Sequence, residues 1–456
     1  MIELHQEHHP NFRQEIIKPL FQLISSGESS VVAGIAGLGK TRLLQFLMRA
    51  ETVHHQLGED TDSTLLVWAD CNRMAELSPW GLYELLLTSI FESASERETL
   101  RPYCERLLPL RRETIMERSH LLAQRNLELV LRMFCQECGV TVAFILDEFD
   151  ESYRGLPSQA LANLRGLRDG NKYRLCYVLF MRDHPAHLRD PYDCEGFYEL
   201  LSRSVLYLGP YESEDAHEAI RLICTRRSFD LSDFGPTAGS EIIKLSGGHP
   251  SIMVGMLDAL AEPANEPPST TLWLEWFAAH QKVEEECRKI WEGLRIQDQR
   301  TLHQVALATP LSLKEKASLV QKKLITGEVA TEPQFVMPVF KAYVLSKAKI
   351  AEVGLRIDLE SGIVWINGHA SEELTGKEFE LVELMGSQIN QLCSGEEIIS
   401  RLWPGDQGFE INPNTVAALV RRVRRKIEPN PSRPQYLVSI KGRGYRLLEQ
   451  PESGKN

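Results

Sequence analysis

The stretch that decides the fold lies near the N-terminus and reads VVAGIAGLGKTRLL, from Val31 to Leu44. It fits the pattern G-x-x-x-x-G-K-[ST], with a β-branched run before it and a helical pattern, Arg42–Ala50, after it. Glycines let backbone N–H groups turn inward around phosphate oxygens without a clash from a side chain. The helix that follows adds the partial positive charge of its N-terminus. The stretch therefore predicts a site that binds the phosphates of a nucleotide.

Individual residues of this loop have separate expected roles. Lys40 is expected to reach the β- and γ-phosphates, and the hydroxyl of Thr41 is expected to ligate Mg²⁺. The predicted cofactors are therefore ATP or ADP together with Mg²⁺. The loop residues predicted to bind the nucleotide are Gly34, Gly37, Leu38, Gly39, Lys40, Thr41 and Arg42.

A second motif supports the nucleotide site. The apolar run Val142–Leu146 has the character of a buried strand, and Asp147-Glu148-Phe149-Asp150 follows it directly. Ligands of parallel α/β sheets bind beyond the carboxyl ends of the strands, so these carboxylates are expected beside the phosphate loop. Asp147 is placed to bind the nucleotide through Mg²⁺, and Glu148 to polarise an attacking water. A solvated acidic turn after a strand is the alternative.

Arg182 follows another apolar run, Leu175–Phe180, and is expected at the same edge of the sheet. We predict a catalytic role for it, in which it senses the γ-phosphate or pairs with the region of Asp147. An ordinary surface arginine is the alternative.

The bulk composition is that of a globular protein. The 456 residues are 43% hydrophobic and 25% charged, and a chain of this length is expected to form roughly three or four domains. No apolar run approaches the ~18–20 residues that span a bilayer, and the polar N-terminus lacks an apolar signal segment. We therefore expect a cytoplasmic protein, nucleoid-associated if DNA-bound, with no membrane partner. The nine cysteines are expected to be reduced thiols.

Positive charge is concentrated near the C-terminus of an acidic chain. The net charge is −12, but the segment Glu410–Leu447 contains nine basic and two acidic side chains, a local charge of +7. Such a distribution is typical of a localised module that binds anions.

A helix in this basic segment is expected to have one buried face. Asn412-Pro413 predicts its start, with Asn as N-cap and Pro at the first helical position. The apolar positions with helical spacing are Val416, Leu419, Val420, Val423 and Ile427. The opposite face can enter a DNA major groove, and Arg443, between Gly442 and Gly444, can probe the minor groove. A basic helix that binds protein is the alternative. The residues predicted to contact DNA are Asn414, Thr415, Ala418, Arg421, Arg422, Arg425, Arg433, Lys441, Arg443 and Arg446.

Five short sequence features within residues 1–347 carry a family resemblance. They are Phe12-Arg13-Gln14-Glu15, GIAGLGKT, FILDEFD, the strand that ends at Arg182, and Gly247-Gly248-His249-Pro250. Together they resemble the STAND class of signal-transducing P-loop ATPases, a branch of the AAA+ group. The resemblance implies a helical lid in which Pro250 lies against the nucleotide base, while local chemistry also favours Pro250 as the start of a helix. It further implies a small winged helix after the lid. Many relatives have a Met-His-Asp element there that touches the bound diphosphate, but this chain has Met337-Pro338-Val339.

Four stretches near the C-terminus carry a second resemblance. They are LRIDLESGIVWINGHASEELTGKEFELVELM, EEIISRLW, NTVAALVRRVRRKI and YLVSIKGRGYRLL. Between Arg356 and Leu448 the chain is similar to the OmpR-type winged-helix effector domain of response regulators, and this implies binding to double-stranded DNA.

The expected fold is an α/β P-loop NTPase, a parallel sheet with flanking helices, plus a helical lid, followed by two winged-helix (α+β) domains. The predicted divisions are 1–205 for the P-loop nucleotide-binding domain, 206–271 for the lid with its linker, 272–348 for a winged-helix domain, 349–450 for the OmpR-type DNA-binding domain and 451–456 for a tail.

These features predict an ATP-dependent switch protein that acts as a sequence-specific DNA-binding transcription regulator. Nucleotide binding, with slow hydrolysis of ATP to ADP and phosphate, is expected to control the C-terminal winged helix. The expected partners are double-stranded DNA, further copies of the chain upon nucleotide binding, and a protein or small-molecule signal. Two alternatives stay open: a replication-initiator-like or DNA-remodelling AAA+ ATPase, and a STAND-type defence or protein-interaction switch.

Overall fold

Two units make up the chain in the computed structural model, Met1–Tyr343 and Val344–Asn456. The structure describes residues 8–262, 267–309, 311, 313–326, 333–351, 355–358, 363–366, 369–371, 374–403, 413–428, 430–431, 434–440 and 442–449. In these ranges, no helix combines the length and apolar character that crossing a bilayer requires. All nine cysteines are free thiols, and eight of them are buried.

A five-stranded parallel sheet forms the centre of the first unit. Its strand order is β2-β3-β4-β1-β5. Strands β1 to β4 contain the apolar runs Ser30–Ala33, Leu65–Ala69, Val142–Leu146 and Leu175–Phe180, because strands buried on both faces read as unbroken apolar sequence. The fifth strand was not predicted, since it is only three residues long and half-buried. The strands are β1 Ser30–Ala33, β2 Thr64–Asp70, β3 Thr141–Asp147, β4 Leu175–Met181 and β5 Val205–Tyr207.

Helices flank this sheet on a continuous apolar core. The phosphate-loop helix begins at Lys40, directly after Gly39, and ends at Leu47. The helices associated with the sheet are α1 Gln14–Ser25, α2 Lys40–Leu47, α3 Ala50–Leu57, α4 Pro79–Ser95, α5 Arg101–Glu117, α6 His120–Arg132, α7 Asp150–Gly155, α8 Ser158–Gly170, α9 Pro185–Leu188 and α10 Glu195–Ser202.

Three helices follow the sheet, as the sequence predicts for a lid. They are α11 Ser213–Arg226, α12 Ala238–Ser246 and α13 Pro250–Leu260. Gly247 and Gly248, with φ of 61° and 73°, make the turn between α12 and α13, and Pro250 is the first residue of α13.

Further short elements complete the first unit. Helices α14 Trp273–Ala279, α15 Gln281–Glu292, α16 Ile296–Ala306 and α17 Leu313–Gln321 precede an antiparallel pair, β6 Ile325–Thr326 and β7 Gln334–Phe335. Helix α18, Pro338–Ala351, begins in the first unit and ends in the second. The winged helix predicted for residues 272–348 stays a prediction.

The described residues of the second unit form two small antiparallel sheets and three helices besides the end of α18. The first sheet has the order β10-β9-β8 and the second the order β11-β13-β12. The elements are β8 Leu355–Asp358, β9 Ile363–Ile366, β10 His369–Ala370, α19 Gly376–Gly386, β11 Leu392–Cys393, α20 Gly395–Leu402, α21 Pro413–Ile427, β12 Leu437–Ile440 and β13 Gly444–Leu447.

A buried arginine ties the N-terminus to the phosphate loop. The side chain of Arg13 is 1% exposed, and its guanidinium donates to the carbonyl oxygens of Gly209, Pro210 and Leu38 at 2.7, 2.9 and 3.1 Å. The guanidinium carbon also lies 4.4 Å from the ring centre of Tyr211. Arg13 therefore holds together the start of α1, the phosphate loop and the chain that enters the lid.

Replacing this arginine should destabilise the first unit. In Arg13→Met the carbonyl groups of Gly209, Pro210 and Leu38 lose their donor, so we expect the unfolding free energy to fall by about 3 kcal/mol. Urea unfolding followed by tryptophan fluorescence measures the change. Arg203→Met is the control, because that arginine is 73% exposed in a surface ion pair and should change little. Equal effects of the two variants would contradict this role for Arg13.

Candidate nucleotide site and nucleic-acid interface

A cavity of about 670 Å³ lies beside the phosphate loop in the first unit. Its size is in the range of small-molecule and cofactor sites. The walls come from the phosphate loop, the carboxyl edge of the sheet, α11, α13 and α15. Predicted site residues that line it are Gly37, Gly39, Lys40, Thr41, Arg42, Glu148, Arg182 and Pro250. Lining residues that were not predicted include Tyr211, Ile223, Ser251, Met253, Lys289 and Gly293.

The phosphate loop has the backbone shape that its glycines predict. Gly37 and Gly39 have φ of 79° and 80°, values that favour glycine. The ammonium group of Lys40 lies inside the curve of the loop and donates to the carbonyl oxygens of Gly34 and Ile35 at 2.6 and 3.3 Å. Burial lowers the pKa of Lys40, opposed by the nearby Glu148 carboxylate. The loop shape, this lysine and the cavity volume together fit a nucleotide with its phosphates.

Three predicted residues, Gly34, Leu38 and Asp147, lie behind the cavity surface rather than on it. Leu38 is buried, its carbonyl is bound by Arg13, and its side chain packs beside Gly34. Asp147 is 4% exposed at the end of β3. The side chain of Leu38 therefore belongs to the core, and only its backbone can face a ligand.

Acidic and basic groups meet at the carboxyl edge of the sheet. The side chain of Asp147 accepts a hydrogen bond from the N–H of Glu148 at 3.0 Å, and burial, with the charge of Glu148, raises the pKa of Asp147 to about 6. The Glu148 carboxylate lies 2.9 Å from the guanidinium of Arg182. Asp150 accepts from the N–H of Arg182. Of the two roles left open for Arg182, the structure contains the pairing.

The backbone of Glu148 is itself unusual. Its φ is 50°, in the left-handed region that costs a non-glycine residue free energy and is concentrated at functional sites. The Glu148 side chain lines the cavity beside the phosphate loop.

The lid turn supplies a histidine that the sequence analysis did not select. His249 is fully buried, and its Nε2 lies 3.2 Å from the carbonyl oxygen of Ala36. Burial lowers the pKa of His249 to about 3, so the ring is neutral and Nε2 donates. The N–H of Ser251 donates to the carbonyl of Gly37 at 3.2 Å. The GGHP motif marks the position of His249 in the sequence, next to the predicted Pro250.

A buried ion cluster connects the sheet edge with the helices after the lid. Asp183, the residue after Arg182, lies 2.6 Å from the ammonium of Lys322, and Asp298 lies at the same distance. Arg295 pairs with Asp298 at 2.9 Å and with Asp183 at 3.4 Å. His187 lies 2.8 Å from Asp183. The end of β4, α16 and the residue after α17 therefore share one set of charges.

The cluster should make stability depend on acidic pH. Burial raises the pKa of Asp183, but the His187 hydrogen bond and the charge of Lys322 outweigh it and lower the pKa to about 2. A lowered carboxyl pKa stabilises the fold above the unfolded value, about 4, and that stability is lost as the pH falls towards 2. Between pH 5 and pH 2 the wild type should lose about 2 kcal/mol more than Asp183→Asn.

Urea unfolding at a series of pH values measures this difference. Asp169→Asn is the control, because Asp169 is 48% exposed in its ion pairs, and solvent weakens them. Parallel pH curves for the wild type and Asp183→Asn would contradict the argument.

In the second unit, α21 has the two faces that its sequence predicts. All five predicted apolar residues, Val416, Leu419, Val420, Val423 and Ile427, are no more than 2% exposed. Thr415, Ala418, Arg421, Arg422 and Arg425 are exposed.

The hairpin after α21 carries further predicted contacts. Arg443 is exposed between Gly442 and Gly444, whose φ values are 70° and 133°, and Arg446 is half-buried on β13. The side chain of Asn414, and Arg433 and Lys441 entirely, lie outside the described residues.

Two other basic residues of α21 have structural partners. Arg424 donates to the carbonyl of Leu437 at 2.7 Å and to the hydroxyl of Ser439, which ties α21 to β12. Lys426 lies 2.8 Å from Glu378, the residue that completes the N-terminal capping box of α19 with Thr375. Net charge alone therefore overstates how many cations α21 offers to a ligand.

The C-terminal part of the chain matches a known family model. Residues 369–447 match the family model described as "Transcriptional regulatory protein, C terminal". The second unit contains a winged-helix DNA-binding domain of the OmpR type. The sensory transduction protein RegX3 of Mycobacterium leprae is 36% identical over 93 residues, 20% of this chain and 46% of that protein. The chain thus spans about half the length of the curated relatives it matches.

Two solved structures each align with about three quarters of this chain. The Walker-type ATPase PABY2304 of Pyrococcus abyssi is 15% identical with a TM-score of 0.45, over 73% of this chain and 95% of that one. The ORC2 protein of Aeropyrum pernix is 13% identical with a TM-score of 0.40, over 74% and 94%. The P-loop NTPase-like fold of the first unit rests on its own phosphate loop and parallel sheet.

Proposed function

We propose that the chain is a nucleotide-controlled, sequence-specific DNA-binding transcription regulator. The observation that carries the proposal is that one chain contains both a phosphate-loop cavity and a winged-helix domain of the OmpR type. A phosphate-loop site alone gives no role to the winged-helix domain, as a kinase of small molecules would not use it. We therefore favour a function that uses both parts. In this proposal the nucleotide is the input and DNA binding is the output.

The cavity residues have clear roles towards a nucleotide. The backbone N–H groups around Gly37 and Gly39 bind phosphate oxygens, and Lys40 neutralises their charge. Thr41 on the cavity wall and Asp147 behind it would hold Mg²⁺, which would neutralise phosphate charge when bound. Glu148 orients a water for slow hydrolysis once it is released from Arg182. The apolar wall of Tyr211, Ile223 and Met253, together with Pro250, accommodates the base.

Contacts within the first unit support transmission from the cavity to later helices. Residues of α11, α13 and α15 form part of the cavity wall, and the Asp183 cluster binds α16 and the end of α17 to the residue beside Arg182. A nucleotide can shift the arrangement of these helices only through different affinities for two arrangements. The winged helix of residues 272–348 and the STAND-type lid are part of this proposal.

The exposed face of α21 has the chemistry of a major-groove reader. Ala418 allows close approach to DNA, and Arg421 and Arg425 can reach base edges or phosphates. Arg443 at the hairpin tip is placed to probe a minor groove.

Loss of the phosphate-loop lysine tests the nucleotide site. In Lys40→Ala the phosphates lose their main positive charge, and we expect ATP affinity to fall at least ~100-fold, about 2.7 kcal/mol. Isothermal titration calorimetry with Mg²⁺ measures it. Lys18→Ala, an exposed lysine of α1, is the control. Unchanged ATP binding in Lys40→Ala would remove the basis of the proposal.

Removal of two groove-facing arginines tests the DNA face. For the double variant Arg421→Ala, Arg425→Ala, we expect retardation of a specific duplex to be lost at moderate salt. The slope of log affinity against log salt should become about 2 units shallower if both contact phosphate. Arg401→Ala, on the exposed side of α20, should bind as the wild type does. Wild-type-like binding by the double variant would contradict the assigned face.

DNA protection across a genome, with and without nucleotide, tests the switch as a whole. We expect discrete protected sites whose occupancy changes when ATP is replaced by ADP. Equal affinity for all duplexes with DNA-stimulated ATP hydrolysis would favour an initiator-like ATPase instead. No binding to DNA even at low salt would contradict both functions.

A further inference from the structure

The cavity wall includes the last turn of α15, where no binding residue was predicted. Lys289, Glu292 and Gly293 line the cavity. Gly293 lies against the phosphate loop, because a Cβ atom on it would be 3.9 Å from Cβ of Ala36. Lys289 is four residues before Gly293, so the two lie on the same face of the helix. The lysine therefore reaches the cavity from the side of the phosphate loop.

Helix α15 is fixed at both ends by close contacts. Near its start, Gly255 of α13 lets the two helices approach, since a Cβ atom there would lie 3.2 Å from the carbonyl of Lys282. Just beyond its end, Arg295 pairs with Asp298 and with Asp183. A shift of α15 would therefore change its contacts with α13 of the lid and with the buried ion cluster.

The cavity wall contains four cationic and two anionic side chains. The charged lining residues are Lys40, Arg42, Arg182 and Lys289 against Glu148 and Glu292. The two carboxylates already have arginine partners, Arg182 at 2.9 Å and Arg288 at 3.1 Å.

Lys289 pairs with a carboxylate of its own helix. Its ammonium lies 2.7 Å from Glu286 on the same helix, with the lysine side chain 51% exposed. Exposed pairs three residues apart on a helix contribute little, whereas a phosphate group is a stronger, multiply charged partner.

We propose that Lys289 is a further nucleotide-binding residue, which exchanges Glu286 for the terminal phosphate of a nucleoside triphosphate. This rests on the proposed function of the cavity. The terminal phosphate group is present in ATP and absent from ADP, so Lys289 discriminates between the two. Because Lys289 belongs to α15, the triphosphate stabilises the arrangement in which α15 lies against the phosphate loop.

Three substitutions in the full chain test the exchange through binding alone. In Lys289→Ala we expect ATP affinity to fall ~5–10-fold, about 1–1.4 kcal/mol, and ADP affinity to fall less than about twofold. In Glu286→Gln the competing partner is neutral, so ATP affinity should rise about twofold to threefold. Lys289→Arg should retain most of the affinity. Calorimetric titration with ATP and with ADP measures all of these values.

Lys244→Ala is the matched control. Lys244 pairs with Glu241 three residues earlier at 3.0 Å, on α12 and away from the cavity lining, and its loss should leave both affinities unchanged. If Lys289→Ala weakens ATP and ADP equally or not at all, while Lys40→Ala abolishes binding, the role of Lys289 is wrong and the nucleotide site stands. If the wild type binds neither nucleotide, the proposed function and this inference both fail.

Discussion

The lid turn lies so close to the phosphate loop that residue 37 has no room for a side chain. A Cβ atom on Gly37 would overlap the hydroxyl of Ser251 and lie 2.8 Å from Cε1 of His249. This approach lets His249 bind the carbonyl of Ala36 and lets the Ser251 N–H bind the carbonyl of Gly37. The loop and the lid therefore share hydrogen bonds, and the shape of one depends on the position of the other.

The same contacts decide which backbone groups can meet an anion. Three successive carbonyls of the loop are bound from the protein side, those of Ala36 by His249, Gly37 by Ser251 and Leu38 by Arg13. In a trans peptide the N–H points away from the carbonyl of the same peptide unit. Binding the carbonyls from behind thus turns the N–H groups of the next residues towards the cavity, the arrangement that favours phosphate oxygens.

Local sequence patterns predicted part of the fold and part of the candidate sites. Strands β1 to β4 are unbroken apolar runs, and the buried face of α21 follows from helical spacing, so neighbouring residues contain the signal. The partners of Arg13, His249 and Lys322 could not be predicted in this way. These partners lie 196, 213 and 139 positions away, and no short motif specifies such a pairing. The partly predicted case is Arg182, where the motif indicated the sheet edge but not that Glu148 is the partner.

The stretch Met337-Pro338-Val339 packs against the turn between α12 and α13. Met337 is fully buried and the carbonyl of Val336 lies against Gly247 of the lid turn, while Pro338 begins α18. The stretch therefore stabilises the lid turn by packing. The buried His249 is neutral, because burial lowers its pKa to about 3, so it shapes the loop without adding charge to the cavity. In the function proposed above, the distinction between triphosphate and diphosphate therefore depends on cavity cations such as Lys289 of α15.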